Sequence, residues 1–97
     1  MINLLFLAGD IAPDNGGLPI KCLPLTLSDR PQTGESVWLD ETGDYHNVKS
    51  VKSYLPTGSS PHYVEIYLDV ENSAIDNFVE ADGWLMYDQF NPGKTQW

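Results

Sequence analysis

From Tyr63 to Val70 the chain alternates without a break. Val64, Ile66, Leu68 and Val70 hold one parity, and Tyr63, Glu65, Tyr67 and Asp69 hold the other. Side chains of a strand point to opposite faces in turn, so period two gathers the four aliphatics on one side. A helix would scatter them around its circumference. The segment is predicted as a half-buried strand, aliphatic toward the core, with rings and carboxylates toward solvent.

A hairpin is predicted upstream. Its first arm is Ser36 to Asp40, with Val37 and Leu39 inward. The turn is Glu41-Thr42-Gly43-Asp44, where Gly43 supplies a positive φ. The second arm runs from about Tyr45 to Leu55, and its apolar residues break phase. Val48 and Val51 are three apart, so a straight strand would send them to opposite faces. A β-bulge near Lys49 and Ser50 returns both to the core and bends the strand. A short helix is the competing explanation, but Val, Ser and Tyr dominate the stretch and favour the strand.

Elsewhere the signals are shorter. Met1 to Gly9 is apolar save Asn3, lacks a basic start, and reads as a buried strand rather than a leader segment. Ala12 to Gly17 is a turn region. Leu18 to Leu27 reads as a strand with Leu23, Leu25 and Leu27 on one side, which Pro19 and Pro24 make either an edge or a strand broken at Pro24. Pro56 to Pro61 is a loop. Ser73 to Val79 suggests a helical turn, with Ser73 as its cap and Asp76 in its first turn. Gly83 leads into a last strand, Trp84 to Tyr87, in which both aromatics are expected to serve the core. Residues 1–90 thus form one domain, and 91–97 read as a flexible tail. The sum is an all-β or β-dominated α+β fold, a small barrel of about six short strands with one short helical turn. The run Arg30-Pro31-Gln32-Thr33-Gly34-Glu35-Ser36-Val37 resembles the turn that opens many SH3-like small barrels. That resemblance is architectural and carries no function with it.

Charge limits the partners. Fourteen acidic residues against five basic ones give a net charge of −9. Between Lys52 and Lys94 there is no Lys or Arg, while Glu65, Asp69, Glu71, Asp76, Glu80, Asp82 and Asp88 all fall there. Such a field repels nucleic acid and anionic membranes and favours basic protein surfaces. Stacking a base on Tyr63 or Tyr67 would gain roughly 1–3 kcal/mol. Glu65 and Asp69 on the same predicted face oppose every phosphate, and the repulsion outweighs the stacking. Cys22 is alone, so no internal disulfide forms, which points to a reducing cytoplasm. No stretch approaches the roughly 20 apolar residues that span a bilayer.

Chemistry-bearing patterns are weak. Asp40, Glu41, Asp44 and His46 cluster at one turn, where oxygens converge on hard cations in other proteins. The calcium-loop spacing is missing, as are Cys-x-x-Cys and His-x-x-x-His pairs for zinc. Cys22 sits in Ile20-Lys21-Cys22-Leu23-Pro24 on the face opposite the leucines, and no neighbouring motif activates it. Neither catalytic residues nor a metal or other cofactor are expected.

The expected function is a non-catalytic acidic binding module that docks on a protein partner with a basic surface. Its expected contacts are Trp38, Tyr63 and Tyr67, with Glu65 and Asp69 steering the encounter. The alternative is an acidic mimic of nucleic acid, of the kind phage and mobile elements use against nucleic-acid-binding proteins. A small metal protein or enzyme built on Asp40, Asp44 and His46 is a third class. Edge strands at Ile2–Leu7 or Leu18–Leu27 offer a route to a homodimer.

Overall fold

A computed structural model describes residues 1–9 and 20–97. The expected turn at 12–17 and the first two residues of the expected strand at 18–27 lie outside the described residues. Six strands follow in chain order: β1 (Ile2–Ala8), β2 (Lys21–Leu27), β3 (Ser36–Leu39), β4 (Asp44–Tyr54), β5 (Tyr63–Leu68) and β6 (Leu85–Met86). They hydrogen-bond in the order β3-β4-β5-β1-β2-β6. The chain is β-dominated, as its alternation requires, and the sheet curls into a half-barrel.

Strand β1 explains that order. A strand apolar at successive positions must be covered on both faces and flanked on both edges. Leu4 to Ala8 are all buried. β1 runs parallel to β5, with Phe6 opposite Ile66, and antiparallel to β2, with Leu5 opposite Pro24. It therefore has no free edge, and the expected pairing of two copies through Ile2–Leu7 is corrected: that edge is already occupied by β5.

The β4 irregularity falls where the phase break requires it. The β4–β5 register shifts between Val48 and Ser50, so Val48 faces Leu68 while Val51 still reaches Ile66. Val48 is buried and Val51 packs beside it in the same cluster. Gly43 closes the β3–β4 turn at φ 65°, accepting a role that a β-branched residue could not.

Two cores lie on the two faces of the sheet. The inner one joins Leu4, Phe6 and Ala8 of β1 to Leu39, Val48, Ile66, Leu68 and Val70. Ile75, Phe78 and Trp84 plug it, carried by 3-10 turns at Asn72–Asn77 and Glu80–Asp82. Ser73 does not cap the first of these. Glu71 stands at the cap position without a side-chain bond to the backbone, and the Ser73 hydroxyl contacts the Glu71 carboxylate instead. A turn this short has little dipole for a cap to serve, which removes the reason for the expected arrangement.

The outer core joins Leu5, Leu7, Cys22 and Tyr63, with Tyr67, Leu85, Phe90 and Trp97 packed against it. Trp97 returns to the sheet, with its ring 5.4 Å from Tyr63 and 5.6 Å from Phe90. A Leu or aromatic side chain fully covered gains about 1.5–3 kcal/mol. That gain for Leu5, Leu7 and Tyr63 is what draws the end of the chain across the outer face.

Candidate binding surface

The expected contact residues divide into two groups that do not meet. On β4, Tyr45 stands opposite Trp38 and Tyr54 stands opposite Tyr63. Nine steps along the strand take Tyr45 to Tyr54, roughly 30 Å at the usual rise. The molecule measures 37 Å along its greatest extent. Trp38 and Tyr63 therefore sit toward opposite ends of the sheet, and one docking face cannot use both.

The Tyr63 end is covered. Tyr63 is 7% exposed, stacked on Tyr54 at 4.9 Å and met edge-on by Phe90 at 5.3 Å. Glu65 is also buried, and its carboxylate accepts hydrogen bonds from the hydroxyls of Tyr87 (2.7 Å) and Tyr67 (3.2 Å). Tyr67 is half-buried with the Lys52 ammonium 5.0 Å above its ring. Only Asp69 of the β5 set stays exposed, and its carbonyl accepts a bond from the His46 ring. The expectation that Tyr63, Glu65 and Tyr67 face solvent is corrected, because the segment from Leu85 to Trp97 lies over them. Tyr87 is itself at the surface rather than in the core, and its hydroxyl is what reaches Glu65.

This arrangement is a buried acid held among phenols. Burial, and then the Glu65 charge, push the Tyr63 and Tyr67 hydroxyls up to about 12. Burial, followed by the hydrogen bond to Glu65, raises Tyr87 as well. Burial and then Glu65 raise the neighbouring Cys22 thiol to about 12, so it stays protonated at neutral pH. The raised phenols favour the folded state fully below pH 10, where both states are protonated. Between pH 10 and 12 the unfolded chain releases those protons first, and stability falls. An ultraviolet titration of phenolate should show a delayed ionisation phase in native protein that unfolding abolishes. Glu65→Gln should move that phase to lower pH, since a negative neighbour is removed. A native titration with no delayed phase would contradict the buried cluster.

The turn at Asp40 to His46 does not converge on a point. The Trp38 indole N–H donates to Asp40 at 2.8 Å, Trp84 donates to Glu41 at 3.1 Å, and Asp44 accepts from the Tyr45 amide. The His46 ring contacts the Thr42 hydroxyl and the Asp69 carbonyl. Among the described residues no group of three or more His, Cys, Asp or Glu side chains is placed to hold a metal ion.

An open apolar feature lies elsewhere. β2 and β3 lie far apart in the strand order, yet Leu23, Leu25 and Leu27 of β2 and Val37, Trp38 and Leu39 of β3 wall one groove of about 310 Å³. The curl of the sheet brings these two strands face to face without pairing them. Phe6 forms the floor, and Asp40 and Glu41 stand at the rim. Leu25 is 39% exposed, Leu27 36% and Trp38 50%. Trp38 is held upright by its bond to Asp40 and by the Tyr45 ring, edge-on at 5.1 Å. The alternation of Leu23, Leu25 and Leu27 was the sequence signal for this wall, but it reads equally as core.

Comparison with known protein families, with curated proteins and with solved structures gives no match. No helix among the described residues is long and apolar enough to cross a membrane.

Proposed function

We propose that this chain is a non-catalytic acidic binding module whose docking face is the groove between β2 and β3. The single observation carrying this reading is the exposure of Leu25, Leu27 and Trp38 along one apolar trough. Exposed aliphatics cost solvation wherever they lie together, and contiguous apolar patches with polar rims are typical of interaction sites. Trp is favoured as an interface anchor because it brings a large area with few rotatable bonds. Asp40 and Glu41 at the rim, on a chain of net charge −9, suit a basic protein partner and steer its approach.

A random peptide library displayed on phage and selected against the full chain tests the reading, with the Leu25→Glu chain as counter-target. Leu25 is half in solvent, so the substitution should leave the thermal midpoint within a few degrees. The expected result is enrichment of Lys- and Arg-bearing peptides that bind the native chain and not the variant. Selection of peptides indifferent to Leu25→Glu and to Trp38→Ala would overturn it.

The second reading, an acidic mimic of nucleic acid, is favoured by one feature. Asp69, Glu71, Asp76, Glu80, Asp82 and Asp88 all stand exposed in a stretch without Lys or Arg. Mimicry requires binding that weakens steeply with added salt and survives Trp38→Ala. The groove reading requires loss of binding on Trp38→Ala and only a shallow dependence on salt, set by the rim charges Asp40 and Glu41.

A further inference from the structure

We infer that the groove takes one short extended strand of a partner protein, added to the free edge of β3, and that this strand closes the half-barrel. The inference rests on the groove reading and gives it a partner chemistry and a mode of binding.

The backbone supplies the first argument. β3 ends the strand order and pairs only with β4 among the described residues. β6 covers β2 only at Lys21 and Cys22, so the stretch from Leu23 to Leu27 has β1 on one side and, among the described residues, no strand on the other. Two strand edges therefore line the same apolar trough. Unpaired edges are templates for another strand, and soluble proteins usually blunt them with charge, proline or a bulge. β2 is blunted in this way, because Pro24 lacks a backbone donor. β3 is not. Its sequence, Ser36-Val37-Trp38-Leu39, carries no charge and no proline. Strand addition thus favours the β3 edge, with main-chain bonds giving affinity and alternate side chains entering the trough.

Side chains define the occupant. Residues of the incoming strand on one parity meet Phe6, Leu23, Leu25, Val37 and Leu39, so they must be apolar. The other parity runs beside the Trp38 ring and is otherwise open to solvent. At the end of β3 nearest the turn, Asp40 and Glu41 call for a Lys or Arg. A helix bonds its own backbone groups internally and so cannot pair with the two open strand edges that bound the trough. A second copy of this chain is a poor occupant, since two molecules of net charge −9 repel one another. The partner segment is therefore a basic, alternating apolar strand from a different protein.

A synthetic nonapeptide alternating Val with Thr and Lys is the probe, used with a set of versions that each carry one backbone N-methyl group. N-methylation removes a donor and blocks strand pairing while leaving the side chain in place. The expected result is binding to the full chain, lost at least tenfold when alternate positions are methylated and unaffected at those between. Those amides of Val37 to Leu39 that point away from β4 should exchange more slowly in the complex. Binding that depends on Leu25 yet tolerates methylation everywhere would overturn strand addition and leave the groove reading standing. No Leu25-dependent binding of the nonapeptide or of any library peptide would remove both. A concentration-dependent dimer that occludes the groove and excludes the peptide would overturn the proposed partner in favour of self-pairing.

Discussion

Trp84→Ala should lower the unfolding free energy by roughly 3–5 kcal/mol, the usual cost of emptying a buried large aromatic site. Total stability for a domain of this size is on the order of 5–15 kcal/mol, so the variant should lose a large share of it and unfold at markedly lower urea. Trp84 is 1% exposed and meets Phe78 edge-on at 4.7 Å. It enters the inner core because Gly83, at φ 96°, turns the chain sharply after the second 3-10 turn. The same substitution at Trp38 should cost far less, since half its surface is already wet. Urea denaturation of the two variants measures the contrast. Equal losses would mean that Trp38 is part of the core and that the groove is closed in solution.

Stopping the chain after Gln89 should cost on the order of 2–4 kcal/mol, the partial burial of two aromatic side chains together with the cover lost from their neighbours. Phe90 and Trp97 would be missing, and Tyr63, Leu5 and Leu7 would lose part of their cover. The truncated protein should bind an apolar dye such as ANS where the full chain does not. Tyr87 remains in this version and still reaches Glu65, so the titration of the phenols separates loss of cover from loss of the acid's partners. An unchanged urea midpoint would mean that residues 90–97 contribute nothing, as a loose tail would.

These two cases mark where the sequence was legible. Strand β5, the β3–β4 hairpin and the bulge at Val48 to Ser50 were readable because period two, and one break in it, are local properties of the chain. The fate of the outer face was not. Tyr and Glu at alternate positions read as solvent-facing, yet a tyrosine buries its ring and keeps its hydroxyl bonded. Here the hydroxyls of Tyr67 and Tyr87 bond the buried Glu65 carboxylate, and the Tyr63 ring is covered by Phe90 and Trp97. The signal for that cover was present in Tyr87, Phe90 and Trp97, three aromatics within the last eleven residues, but Asn91-Pro92-Gly93 beside them reads as a loop. The groove was harder still. Its walls come from β2 and β3, and only the order of all six strands shows that both present an unpaired edge to the same space.

Which face of the sheet meets water decides where a partner can dock. Nuclear magnetic resonance of the full chain with a neutral paramagnetic gadolinium chelate in the solvent measures this directly. Signals from the Leu25 and Leu27 methyls and the Trp38 indole should broaden strongly, while the Leu5 and Leu7 methyls and the Tyr63 ring stay sharp. The opposite pattern, with the Tyr63 ring broadened and the groove residues protected, would contradict both the sealed outer face and the open seam.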